Sequence, residues 1–184
     1  MSRILLASQN SIKIEETRLV FPEVGTLDLE LLEVQHTDPA EVVRHKLAQV
    51  RALDLEVPVL VEDTGLAVDA WDGLPGALVK WFVGGLGPAR LKELMATPGA
   101  PLGATATSAV GLVHRGDCEV WVGHLAGRLV DARGGLGGWT PIFEVGATGQ
   151  TLGEMSLADR MHHTMRRAPL ERARGWLTAR GWTG

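Results

Sequence analysis

The sequence predicts a single α/β domain over residues 1–184. Three observations carry this. Short apolar runs bounded by polar turns recur, as buried strands require. Helix-start signatures stand between several of them, and two alternating segments flank Arg115-Gly116-Asp117 as the arms of a hairpin. A chain of 184 residues buries roughly 70% of the surface that its unfolded form exposes, so its core needs no staple. Its one cysteine, Cys118, can form no internal disulfide.

Residues 3–7 (RILLA) read as the first buried strand, and Ser8-Gln9-Asn10-Ser11 as the polar turn before a helix over residues 12–20. The free amides of that helix start, with Ser8, Asn10 and the early Lys13, suit an anion, although a plain helix cap explains the same residues. Leu27, Leu29 and Leu31 alternate with Asp28 and Glu30, predicting a half-exposed strand that ends at Glu33-Val34-Gln35. Asp38-Pro39-Ala40-Glu41 combines a cap, a proline at the first helical position and an acid three residues after the cap. It predicts a helix to about residue 52 carrying Lys46, whose plain reading is a solvated surface lysine.

Val57, Val59, Leu60 and Val61 predict a strand buried on both faces, ending at Glu62-Asp63, where two carboxylates would face a cleft from the sheet edge. A turn at Asp72-Gly73-Leu74-Pro75-Gly76 leads to Lys80-Trp81-Phe82, with both aromatics read as core or subunit-interface anchors. Residues 88–95 suit a helix and residues 97–103 a mobile loop. The hairpin strands span residues 104–114 and 118–125, with Val120 and Val122 on one face, Trp121 on the other and Cys118 as a small packing residue. Residues 133–149 form a glycine-rich segment able to close on a flat ligand through Trp139. Two final helices are expected over residues 156–167, capped by Ser156 with Asp159, and residues 169–180.

An apolar fraction of 45% and a charged fraction of 22%, with no apolar run near the length that spans a bilayer, give no indication of a membrane protein, and the early polar turn at residues 8–11 argues against a signal peptide. A cytoplasmic protein is expected. A net charge of -4 argues against nucleic-acid binding but not against a small polyanion held by a few converging lysines. The acids Glu33, Glu62 and Asp63 with lysines near helix starts favour Mg²⁺ or Mn²⁺ over zinc and point to phosphate chemistry. The histidines form no zinc motif, and the adjacent His162 and His163 point in different directions on a helix.

On the segments LLASQNSIKIEE, LLEVQ, VEDTGLAVDAWDGLPGALVKWF, TATSAVGLV, GRLVDARG, GWTPIFEV and TLGEMSLADR, the chain resembles the inosine triphosphate pyrophosphatase family nearly end to end. That family hydrolyses non-standard purine nucleoside triphosphates to monophosphate and pyrophosphate. The resemblance implies an elongated mixed β-sheet flanked by helices, in two lobes around a central nucleotide-binding cleft, and a homodimer. It implies phosphate contacts from Ser8, Asn10, Lys13, Lys46 and Lys80, and catalytic roles for Asp63, Lys13 and Glu33. Mg²⁺, or Mn²⁺, would sit on Glu33 and Asp63 with Glu62 assisting, and Trp139, Thr140, Arg160, Thr164, Met165 and Arg166 would form the base site.

The departures from the family pattern fall in that base site. Its Phe-Gly-Trp-Asp-Pro reads Gly137-Gly138-Trp139-Thr140-Pro141 here, and its Lys-Asn-x-x-Ser-His-Arg reads Arg160-Met161-His162-His163-Thr164-Met165-Arg166. The metal and phosphate half is retained, whereas contacts that read a purine keto edge are changed, which predicts altered or relaxed base selectivity. Two alternatives stand beside this reading. One is a pyrophosphatase for pyrimidine or modified nucleotides, and the other a non-catalytic nucleotide-binding protein on the same scaffold.

Overall fold

Seven strands form one mixed sheet in the computed structural model, which describes residues 4–96 and 98–182. They are β1 (Leu5–Leu6), β2 (Gly25–Thr26), β3 (Val59–Val68), β4 (Pro75–Gly76), β5 (Gly103–His114), β6 (Asp117–Leu129) and β7 (Phe143–Glu144). The order is β2-β1-β3-β5-β6-β7, with β4 paired to β3 off that path. β1 is parallel to both its neighbours and the other pairings are antiparallel. The helices are α1 (Ser11–Val20), α2 (Pro39–Arg51), α3 (Val79–Leu86), α4 (Pro88–Met95), α5 (Leu157–His163) and α6 (Arg167–Thr178). Among the described residues no helix is long and apolar enough to cross a membrane.

The predicted hairpin is present and longer than expected, with Val120 and Val122 packing on the side of α2 and Trp121 on the side of α6, where it meets Trp176 edge-on. The expected strand over residues 57–61 does not stop at Glu62-Asp63. It runs on to Val68, because β5 supplies an unbroken antiparallel partner from Val113 to Ala104 and the buried charges find partners of their own. Both carboxylates therefore stand in mid-sheet.

Apolar packing is divided along this strand. Val59, Leu60 and Val61 join clusters with α1, α2 and α6, while Leu66 and Val68 join a separate cluster with Leu129, Ile142 and Phe143. The polar trio Glu62, Asp63 and Thr64 falls in the gap, as does Ser108 opposite it on β5. Two apolar bodies joined by a shared polar belt make a cleft across the middle of the sheet.

Several local expectations are corrected. The first strand is two residues long, and its expected Arg3 lies outside the described residues, as does Thr97 of the expected loop. Leu27, Leu29 and Leu31 are partly buried as expected, but the ladder there is confined to β2 and Glu33 sits in a segment without strand pairing, five residues before the helix cap Asp38. Lys46 is buried rather than solvated, since α2 lies flat on the sheet with its Lys46 side towards β3. Trp81 does not enter the core: it is 61% exposed, while Phe82 packs edge-on against Trp71. Cys118 is exposed, because it lies on the uncovered outer end of β6 beside the hairpin turn. Residues 139–145 are anchored rather than loose, with Trp139 and Phe143 packed together and Phe143 on β7.

The first of the last two helices ends early, at His163, and the second keeps its length but starts two residues early, at Arg167, so the break falls at Thr164, Met165 and Arg166. Gly123 makes this possible. A Cβ there would stand 2.1 Å from the Met165 carbonyl oxygen, so only glycine lets the break press onto β6. Gly76 does the same for the segment before α2: its φ is +59°, and a side chain would meet the Thr37 oxygen that accepts from Ala77 N–H.

Candidate functional site

The period of a strand places Glu62 and Asp63 on opposite faces of the sheet, and each face brings a different set of cations. Asp63 turns towards α2, where Lys46 Nζ lies 3.4 Å from its Oδ1. Lys46 also reaches Glu33 Oε1 at 2.6 Å, and Lys80 from α3 pairs with the other Glu33 oxygen. Glu62 turns towards α1 and α6. Lys13 Nζ is 2.7 Å from its Oε2, while Ser108 Oγ at 2.7 Å and Arg166 Nε at 3.0 Å donate to Oε1. Lys13 touches both sides, lying 4.0 Å from Asp63 Oδ1.

These environments drive the two acids apart. Burial would raise the Glu62 pKa, but Arg166 first, then Lys13 and Ser108, hold it down to about 2. Asp63 has fewer partners, and burial with the nearby Glu62 charge pushes its pKa up despite Lys13 and Lys46. Because the folded pKa of Glu62 lies below its ordinary 4.5, its charge stabilises the fold fully above pH 4.5, and that contribution is lost as pH falls towards 2. Acid titration of unfolding is the check: the stability gap between wild type and Glu62→Gln should be widest above pH 4.5 and narrow steadily below it.

Asn10 is the N-cap of α1, accepting from the N–H groups of Ile12 and Lys13, and Ser8 Oγ accepts from Asn10 N–H. The cap and the expected anion site are thus the same residues. Both line the cleft beside Lys13, Lys46 and Lys80 in a cavity of about 550 Å³ that also contains Glu33, Glu62 and Asp63. A second cavity, of about 460 Å³, adjoins it and shares Asn10, Lys13, Thr64, Gly138 and Trp139. Every residue expected at the base site lines this second cavity: Trp139, Thr140, Arg160, Thr164, Met165 and Arg166. His162 and His163 are exposed on α5 and line neither, so the register puts Met165 in the pocket and leaves both histidines outside.

Glu16 was not singled out by the sequence, and it organises the second cavity. It is 1% exposed and receives Arg160 Nε on Oε1 at 2.6 Å, Thr164 Oγ on Oε2 at 2.9 Å, and Arg166 Nη1 on Oε2. The helix break at Thr164–Arg166 is what lets these three side chains converge on one carboxylate. A signal existed: Glu16 lies four residues before the buried Val20 and so on the inward stripe of α1, where an unpaired acid would be costly. Ser108 and Thr64 were likewise missed, being ordinary strand residues until the carboxylates are placed beside them. Arg160 Nη2 is buried without a hydrogen-bond partner among the described residues.

The two cavities together carry five cations, Lys13, Lys46, Lys80, Arg160 and Arg166, against five carboxylates, Glu16, Glu30, Glu33, Glu62 and Asp63. Among the described residues no three His, Cys, Asp or Glu side chains stand close enough to hold a metal ion on their own.

A mixed sheet with a polar belt between two apolar bodies, lined by lysines facing carboxylates, defines an α/β protein built to hold a polyanion. Residues 4–176 match the Ham1 family, and the chain belongs to it. It is 34% identical over 180 residues to an inosine triphosphate pyrophosphatase of Aspergillus oryzae, covering 94% of this chain and 92% of that one. It is 37% identical over 175 residues to the protein of that name from Chaetomium globosum, covering 91% and 88%. In fold it is similar to the Ham1 protein of Staphylococcus aureus, with a TM-score of 0.79 at 21% identity over 97% of this chain and 99% of that one.

Proposed function

We propose that the protein hydrolyses nucleoside triphosphates, inosine- and xanthosine-type purines foremost, to monophosphate and pyrophosphate with the help of Mg²⁺ or Mn²⁺. The observation that carries this is the pairing of Asp63 and Glu33 with Lys13, Lys46 and Lys80 in one cavity, opening directly into a second one walled by Trp139, Met165 and two arginines. The names of the curated relatives agree with it. Lys13, Lys46 and Lys80 bind the triphosphate with Ser8, Asn10 and the start of α1. Asp63 orients a water against the α-phosphorus and takes its proton, the α–β anhydride bond breaks, and pyrophosphate leaves with the electron pair. Two carboxylates, Glu33 and Asp63, with Glu62 close behind, fit a small hard cation that completes its shell from phosphate oxygens and water. Such an ion supplies charge neutralisation on the phosphates.

Selectivity follows from which hydrogen-bonding groups of the inner cavity are already committed. Both oxygens of Glu16 are taken by Arg160, Thr164 and Arg166, and Thr140 Oγ donates to the carbonyls of Leu136 and Gly137. The unmatched capacity of that wall is donor capacity on the Arg160 and Arg166 guanidiniums, where Arg160 Nη2 has only Glu15 Oε2 at 3.7 Å. A keto oxygen satisfies it and an exocyclic amino group does not, a mismatch costing about 1–3 kcal/mol. Pyrophosphate release from ITP, XTP, UTP, dTTP, ATP and CTP with Mg²⁺ tests the reading. Nucleotides with a keto group at purine C6 or pyrimidine C4 are expected to exceed ATP and CTP, which carry an amino group there, in kcat/KM by about tenfold or more, and equal turnover of ATP and ITP would contradict it.

A second reading, favouring pyrimidine or modified nucleotides, draws on Met165 and on Gly137-Gly138. They leave Trp139 as the one aromatic side chain lining the inner cavity among the described residues. UTP or dTTP turnover above that of ITP would favour it, and a strong ITP preference would end it.

A further inference from the structure

We infer that Lys46 and Lys80 act as cation placeholders on Glu33 and Asp63, so that the divalent ion joins the cleft together with the triphosphate and not before it. This rests on the pyrophosphatase reading above and concerns the order in which its components assemble.

Two observations support it independently. The first is contact. Lys46 Nζ lies 2.6 Å from Glu33 and 3.4 Å from Asp63, and Lys80 holds the second Glu33 oxygen. Lys46 is 6% exposed, so its ammonium has little water to turn to if a metal displaces it alone. An ion arriving unaccompanied would have to break these pairs and leave a buried ammonium without a partner, an expensive state. The second is charge. With cations and carboxylates balanced across the two cavities, the cleft exerts no net pull on a bare divalent cation, and no three protein ligands gather to hold one among the described residues.

A triphosphate removes both obstacles. Its phosphate oxygens give Lys46 and Lys80 new partners as they leave Glu33 and Asp63, and those carboxylates are then free for the cation that the phosphates already carry. The exchange conserves ion pairs: each lysine trades a carboxylate for a phosphate, and each carboxylate trades a lysine for a metal. Nothing covalent changes.

The test reads metal binding, not turnover. Mn²⁺ is titrated by electron paramagnetic resonance into the full-length protein alone, and into protein with an α,β-methylene nucleoside triphosphate, corrected for the Mn²⁺ that the nucleotide holds by itself. Wild type is expected to bind Mn²⁺ at least about tenfold more tightly with the nucleotide than without it. Lys46→Met, with its placeholder gone, is expected to bind Mn²⁺ alone at least about tenfold more tightly than wild type. Lys80→Met, at a half-exposed position on α3, gives the same direction of change and decides the matter if Lys46→Met does not fold. Equal Mn²⁺ affinity of wild type with and without nucleotide would overturn the inference, and so would variants that bind Mn²⁺ alone no better than wild type. Pyrophosphate release measured on the same wild-type sample separates the two levels. Release combined with nucleotide-independent Mn²⁺ binding removes only the placeholder role, and no release from any nucleotide removes the hydrolase reading.

Discussion

Asp63→Asn is expected to lower kcat for pyrophosphate release by roughly 10²–10⁴-fold, the range for removing a positioned acid–base group. The substitution keeps shape and volume, so the β3–β5 ladder that holds it should be undisturbed, and the loss should appear without a change in secondary structure. Asp63 is the acid of the pair to choose because its neighbours leave it reactive. Glu62 is held ionised by Arg166, Lys13 and Ser108, which bring its pKa down to about 2, so it is a poor proton acceptor near neutrality. Asp63 has its pKa raised by burial, which makes it the better proton acceptor of the two. The ionised form is the working one, so kcat/KM should fall on the acid side through a pKa above the ordinary 3.8, and Asp63→Asn should lose that limb. Excess Mn²⁺ separates its two possible duties: partial rescue of the variant marks a metal ligand, and no rescue marks a base.

Glu16→Ala is expected to be the most destabilising single change in the cleft, by about 3–5 kcal/mol, because it leaves two buried guanidiniums without their shared carboxylate. For a domain of this size that lowers Tm by roughly 6–20 °C. The penalty belongs to the stranded charges and not to lost packing. Glu16→Gln, which keeps the shape, should therefore remain well below wild type, and adding Arg166→Met to Glu16→Ala should cost less than the two single changes summed. Thermal unfolding of the four proteins gives the cycle.

How much of this was legible in the sequence depends on the range of the interaction concerned. The helix caps at Asp38 and Ser156 are local, set by residues two or three apart, and both are legible in the sequence, whereas the expected start of α1 at residue 12 falls one residue late because Asn10 is its cap. The hairpin and its two faces follow from period-two alternation and were also legible. What failed was strand length at Glu62-Asp63, where charge suggested an end. Partners 46 and 104 residues away in sequence, Ser108 and Arg166, make a buried carboxylate tolerable there, and no local pattern reports them. The plain reading of Lys46 as a solvated surface lysine fails for the same reason, since its burial comes from a sheet that its own helix does not contain. Glu16 lies 144 residues from Arg160, and the helix break that joins them depends on Gly123 of a third element. The candidate site was recoverable as a set of residues, through the resemblance, but its wiring was not.

The central claim is that this cleft cleaves between the α- and β-phosphates. Phosphorus-31 spectroscopy of ITP incubated with the protein and Mg²⁺ tests it most directly. The account predicts inosine monophosphate and pyrophosphate appearing in equal amounts, with label from ¹⁸O-water on the nucleotide monophosphate. Inosine diphosphate and free orthophosphate as the products, or an unchanged spectrum from a folded preparation that binds the nucleotide, would contradict it.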